Sequence, residues 1–350
     1  MQAVSASQAV WPAIERTYRC LFRPFQWAAF LKCAALATVT EGVLVSFRFS
    51  VSTELPFDLR SIDPATLLAP EFVSFTLLAV AVAIFLFFLS IYIVIRLRFV
   101  FFHCLLHETR EIGPAWDLYR VPAMRLFKAS LLVGLVLLLL AALAVGAIVL
   151  AVVVLFSSPT DEGKLDPGNF LILFFPCMGI VLGLCLALVT AEVVLHDFIL
   201  PHLALENATV REAWAAVRLR IRTHRDTFLS YFVLRLLLPF LAVVVLVIAG
   251  SILSWIVFGV LGMSAAGFNA MLEDLTGIGA CFRIALQALF ILLGLAAGSL
   301  LAFALGGPLA VYTRGYALHY YGGHYKPLGD VLSPPPTPQP AAPDGKSELA

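Results

Sequence analysis

Long uncharged apolar runs alternate along this chain with connecting segments, and only every second connector is basic. Phe72 to Ile95 holds no charged residue, nor does Ala129 to Ser158, nor Ile284 to Thr313. A bilayer core takes about 20 apolar residues per helix, and each of these runs is that long. The pattern sets the fold class: an all-α, polytopic membrane helix bundle. Composition agrees, because with 61% hydrophobic and 13% charged residues a water-soluble chain of 350 residues could not cover its surface.

Six spans are expected, at about 25–47, 72–95, 129–156, 170–195, 228–258 and 284–305. The first is the weakest, because it carries Lys32 and Glu41. No apolar h-region or small-residue cleavage site precedes it, so this span is expected to act as the uncleaved insertion signal. One set of connectors carries Arg16, Arg19, Arg23; then Arg96, Arg98, Arg110, Arg120, Arg125, Lys128; then Arg211, Arg218, Arg220, Arg222, Arg225; then Arg314, Lys326, Lys346. The other set carries only Arg60, Lys164 and Arg283. By the positive-inside rule the basic side is cytoplasmic and both termini lie there. The chain then divides into a cytoplasmic N-terminal segment (1–24), a six-helix membrane domain (25–312), an interfacial segment (313–332) and a disordered Pro-rich tail (333–350). None of the six cysteines forms a CxxC pair, and structural disulfides are not expected.

The two long basic connectors resemble each other. Phe99-Val-Phe-Phe-His103 is followed by Pro114-Ala-Trp116, and Phe198-Ile-Leu-Pro-His202 by Glu212-Ala-Trp214. This reads as one unit of span, amphipathic segment and span, present twice. In the second copy Thr209-Val-Arg-Glu212 has the order of a capping box. Val210, Trp214, Val217 and Ile221 then recur on one helical face, and Arg211, Arg218, Arg222 and Arg225 on another. Such a helix suits the headgroup plane, with Trp116 and Trp214 as anchors and arginines facing anionic lipid phosphates. Ordinary amphipathic connectors would show the same pattern, and so would a docking face for a cytosolic protein.

Several residues give these segments a wider resemblance. Arg96-Leu-Arg98-Phe99 with Ile112, Trp116 and Tyr119-Arg120 is similar to the first cytoplasmic loop of a family of uncharacterised bacterial membrane proteins. Asp197-Phe198 with Pro201, then Ala213-Trp214, resembles the second loop. Phe22, Pro24, Phe25 and Trp27 resemble the family's approach to the first span, and Pro308, Arg314 and Tyr316 its exit from the last. That family is distantly similar to the membrane domain of some glycerophosphodiester phosphodiesterases. The resemblance implies a six-helix protein of the bacterial cytoplasmic (inner) membrane with no established activity. The phosphodiesterase catalytic barrel has no counterpart here.

Four charged residues are expected within the bilayer: Lys32, which snorkels to the cytoplasmic headgroups, and Glu41, Glu192 and Arg235. Intramembrane charge is costly enough that pairing is the default, and Glu192 and Arg235 flank the same connector, so they are expected to pair. Glu41 is the candidate for a protonatable site. His103 and His107 stand at i, i+4, and with His202 they are the only candidates for a metal, although no HExxH order accompanies them. Gly179/Gly183 and Gly294/Gly298 permit close helix approach, and Gly306-Gly307-Pro308 is expected to end the sixth helix. The tyrosines that follow, Tyr312 to Tyr325, read as an aromatic belt. No catalytic triad, phosphate-cradling glycine loop or cofactor motif is present, and nothing supports nucleic-acid binding. The expected partners are membrane lipids and a protein of unknown identity. Three functions compete: a non-enzymatic role in organisation or assembly at the cytoplasmic leaflet, small-molecule or lipid transport, and lipid modification.

Overall fold

Five stretches of the sequence become helices long and apolar enough to cross a membrane: Val73–His107, Arg120–Val153, Phe174–Leu205, Leu246–Met271 and Phe282–Gly322. The computed structural model describes residues 5–41, 70–109, 111–157, 167–272 and 278–332. The end of the first expected span (42–47) and the Pro-rich tail (333–350) lie outside them. Of that first span the described part is a shorter apolar helix, Trp27–Thr40.

The elements in chain order are α1 (Val10–Phe22), α2 (Trp27–Thr40), α3 (Pro70–His107), α4 (Gly113–Leu118), α5 (Arg120–Ser157) and α6 (Pro167–Val193). A π-helical turn (Val194–Ile199) leads to α7 (Leu200–Leu205), α8 (Val210–Thr223), α9 (Arg225–Met271), α10 (Ile278–Gly322) and α11 (Lys326–Leu332). Among the described residues there is no strand.

The long helices bury their side chains at one end only. Phe99, Phe102, Leu105, Leu126, Leu200, Tyr231, Tyr316 and Tyr320 are fully buried and form one core with α1, α2 and α8. Tyr231 stacks between Tyr316 and Tyr320, at ring separations of 5.4 and 4.2 Å. Away from that end the same helices expose large apolar groups, with Leu143 71% and Trp255 81% accessible. Water does not tolerate an apolar surface this continuous. Acyl chains do, because helices gain nothing by hiding leucine from lipid. The packed end is also the end that holds the basic connectors.

Two expectations change here. The Gly306-Gly307-Pro308 sequence does not end the last long helix, because α10 runs unbroken to Gly322. Pro308 removes one backbone donor inside this helix, but the helix continues past it. Gly307 lies against α2 so closely that a Cβ there would sit 2.4 Å from the Ala34 Cβ. Tyr316, Tyr320, Tyr321 and Tyr325 accordingly face the core and are each 1% exposed or less, so they do not form an outward belt. The second change concerns close approach. Around Gly179 and Gly183 a Cβ would meet nothing within 4 Å, and at Gly294 only Phe258 at 3.7 Å. The tight crossing is Gly307 on Ala34.

α1 is amphipathic in both directions. Ala13, Thr17 and Leu21 are buried, and Ala13 meets Gly315 of α10. Trp11, Ile14, Tyr18 and Phe22, on the other side of the same helix, are exposed.

Candidate functional site

The sequence Val194-Leu-His-Asp-Phe-Ile-Leu-Pro201 sets the site. Pro201 has no N–H to offer the carbonyl four residues back, that of Asp197, so an α-helical bond is lost there. The chain widens into the π turn, and such turns recur at functional positions. The turn aims Asp197 into the bundle, where it is 2% exposed.

Asp197 is the hub of a buried network. Its Oδ2 accepts from the Tyr231 hydroxyl at 2.8 Å and from Arg235 Nε at 3.0 Å. Its Oδ1 accepts from Arg314 Nη1 at 3.0 Å. Arg235 also reaches Glu41, with Nη2 3.5 Å from Oε2. Beside this group, Arg98 donates to Glu192 Oε1 at 2.9 Å and to the Thr40 carbonyl at 2.7 Å, and it contacts His196 Nε2. The His196 Nδ1 lies 3.0 Å from the Glu192 carbonyl. A carbonyl can only accept, so Nδ1 carries the proton and Nε2 accepts from Arg98. Arg98, Arg235 and Arg314 thus face Glu41, Glu192 and Asp197, three cations against three carboxylates, and α2, α3, α6, α9 and α10 are tied together.

This corrects one expectation. Glu192 and Arg235 do not pair. Arg235 is taken by Asp197 and Glu41, and Glu192 by Arg98. Glu192 stands on α6 before the π turn and Asp197 within that turn, and Asp197 is the one that reaches α9.

A second cluster lies nearby in the chain. His202, 2% exposed, has Nε2 2.8 Å from the Tyr321 hydroxyl and 3.0 Å from Arg220 Nη1. Its Nδ1 lies 3.1 Å from Glu206 Oε2. Arg220 has only protons to give, so Nε2 accepts and Nδ1–H donates to Glu206. Burial pushes the Glu206 carboxyl up, but the His202 hydrogen bond and the Arg220 charge outweigh it and hold it below the usual range. Arg220 also lies over the Tyr325 ring at 5.0 Å.

The three candidate metal ligands do not converge. The His103 and His107 rings lie tilted with centroids 4.5 Å apart, and His103 Nδ1 is 3.1 Å from the Tyr119 hydroxyl, whereas both nitrogens of His202 are engaged elsewhere. Among the described residues no three His, Cys, Asp or Glu side chains gather to hold a metal ion.

The surface residues sort by helix. Trp116 is half-buried under Arg96, whose guanidinium stacks on it at 4.1 Å and donates to its carbonyl. Trp214 is exposed at the edge of α8, and Arg211, Arg218, Arg222 and Arg225 are exposed as well. The capping box forms as the sequence order suggests: Thr209 N–H donates to Glu212 at 2.8 Å, and Thr209 Oγ1 accepts from the Glu212 N–H. Ala213 and Val217 of α8 are buried in the core. The parts that Tyr231, Arg314 and Arg220 take in these clusters, and the exposed aromatic face of α1, escape a sequence reading. An acid in the middle of the apolar stretch Val193–Leu200 is the one signal that could have pointed to the hub.

No curated protein and no solved structure matches the chain. The model of one family matches residues 4–331, and the chain therefore belongs to that family of unknown function, DUF7544.

Proposed function

We propose that this protein spans the bacterial cytoplasmic membrane six times, with both termini and all basic connectors in the cytosol, and organises components at the cytoplasmic leaflet without catalysing a reaction. The observation that carries this reading is the contrast at the packed end. Inside, Asp197 and Glu41 pair with Arg235 and Arg314, and the Arg98–Glu192 pair closes the more exposed edge. Outside, α1 leaves Trp11, Ile14, Tyr18 and Phe22 exposed, α8 leaves Trp214, Arg211, Arg218 and Arg222 exposed, and Arg225 is exposed at the start of α9. Aromatic and arginine side chains at one level fit the headgroup zone of an anionic leaflet. The two connector copies fit the same plan. Phe99 stacks on Tyr119 of its own connector and Phe198 packs at a tilt against Tyr321 of α10, and the histidine four residues after each Phe reaches the hydroxyl of that tyrosine.

The test is lipid enrichment in proteoliposomes that contain a small share of dansyl-labelled anionic lipid, read as energy transfer from tryptophan. The wild type should enrich the label. Reversing Arg218, Arg222 and Arg225 to glutamate should reduce the enrichment, and an unchanged signal removes the reading. A transport reading rests on a different observation: Glu41 to Arg235 is, at 3.5 Å, the longest link of the charge network. Carriers open such links, and Glu41→Gln would then abolish solute flux while expression stays intact.

A further inference from the structure

α5 and α6 face one another with stripes of small and aliphatic residues, but they do not close. Ala129, Leu132 and Val133 line one wall, and Gly183, Ala187 and Ala191 recur on the other. Between them lies a groove of about 1040 Å³, at the upper end of small-molecule sites. Its charge is all at one end. Arg125, Lys128 and Arg211 line it, Trp214 closes it, and no carboxylate is among its lining residues. Arg125 is held there: its Nη1 donates to the Asn207 carbonyl at 2.7 Å and to the Ala208 carbonyl at 3.2 Å. Asn207 takes a positive φ of 50° to make the turn that presents both carbonyls. A smaller groove of about 440 Å³ runs along the other flank of α5 and shares Arg125 and Lys128. The two cations therefore stand on a ridge between two troughs.

We propose that this groove is a specific site for one phospholipid with an anionic headgroup. The phosphate sits among Arg125, Lys128 and Arg211, the glycerol backbone lies against Trp214, and an acyl chain lies along Leu132 and Gly183. Charge complementarity selects the occupant. A helix of another protein would fill the apolar length but bring no anion to the three cations, of which Arg125 has only neutral carbonyl and amide oxygens as hydrogen-bond partners. The basic mouth lies at the level of the packed end, so the lipid comes from the leaflet that borders the basic connectors. This inference rests on the leaflet reading above and narrows it to one site.

The experiment is native mass spectrometry of the full chain in detergent, with dioleoyl phosphatidylglycerol and dioleoyl phosphatidylcholine as probes. The wild type should retain one phosphatidylglycerol, preferred over phosphatidylcholine by about tenfold. Lys128→Glu and Arg211→Glu should each remove most of that preference. Lys326→Glu, the same charge change at an exposed position on α11 away from the groove, should keep it. Gly183→Phe should block the acyl trough and lose the adduct, since a side chain there meets open space. Leu186→Trp makes the same test if Gly183→Phe fails to fold. An adduct that survives both fillings, an equal loss in Lys326→Glu, or no preference between the two probes overturns the site. If the filled variants still hold the lipid while the Arg218/Arg222/Arg225 reversal loses enrichment, the groove falls and the leaflet reading stands.

Discussion

Arg314 and Asp197 meet at 3.0 Å, and neither side chain is more than 2% exposed. They come from α10 and the π turn, 117 residues apart. A pair buried this deeply adds little net stability over an apolar substitute, but breaking it from one side leaves an uncompensated charge.

Asp197→Asn should therefore lower stability by about 3–5 kcal/mol. It strands Arg314 and half of the Arg235 contacts at once. Glu192→Gln should cost less than about 1 kcal/mol, because the Glu192 side chain is 59% exposed. Thermal unfolding in detergent separates the two. Equal losses would show that Asp197 is not the hub.

The all-helical class and the long apolar helices are legible in the sequence, because a bilayer sets a helix length that no tertiary detail overrides. The capping box at Thr209 is legible for a different reason: its partners are three residues apart. The charge network is not legible. Glu192 and Arg235 both stand near the end of a span, and a straight helix gives no reason to choose Asp197 instead. The choice turns on a π turn caused by Pro201, which shifts the helical phase by part of a turn. The tyrosines after Pro308 mislead in the same way. Tyrosine suits both a membrane interface and a packed core, and only the contact with α1 and α9 decides between them.

Gly307→Ala should destabilise by about 1–3 kcal/mol through overpacking. Its new Cβ would lie 2.4 Å from the Ala34 Cβ and 2.7 Å from the Ala34 Cα. Adding Ala34→Gly should recover only part of the loss, since the Cα remains. A double-mutant cycle on melting temperature measures this, and a neutral single substitution would mean that α2 and α10 do not cross there.

His202→Phe should cost about 1–3 kcal/mol, because Arg220, Tyr321 and Glu206 all lose a partner in or near the core. His103→Phe should cost less, because its hydrogen bond to Tyr119 lies at a less buried position. Chemical or thermal denaturation of the two variants side by side checks the order.

The α8 capping box should be pH-dependent. Hydrogen bonds from the Thr209 backbone and side chain hold the Glu212 carboxyl below its usual range. A depressed folded-state value means that the stabilisation is complete above the ordinary glutamate range, about 4.3. It is lost as pH falls through the lower, folded value. Hydrogen exchange at residues 210–216 should show the first turn of α8 opening over that acidic window. Glu212→Gln, which keeps the capping geometry without a titrating group, should show no such step.

The arrangement of spans and charges stands or falls on which side of the membrane α8 occupies. Arg211→Cys in a background free of native cysteines, probed in intact cells with a membrane-impermeant maleimide, measures this directly. Six spans with cytosolic basic connectors require position 211 to stay unlabelled until the membrane is opened. Labelling from the outside in intact cells would contradict them.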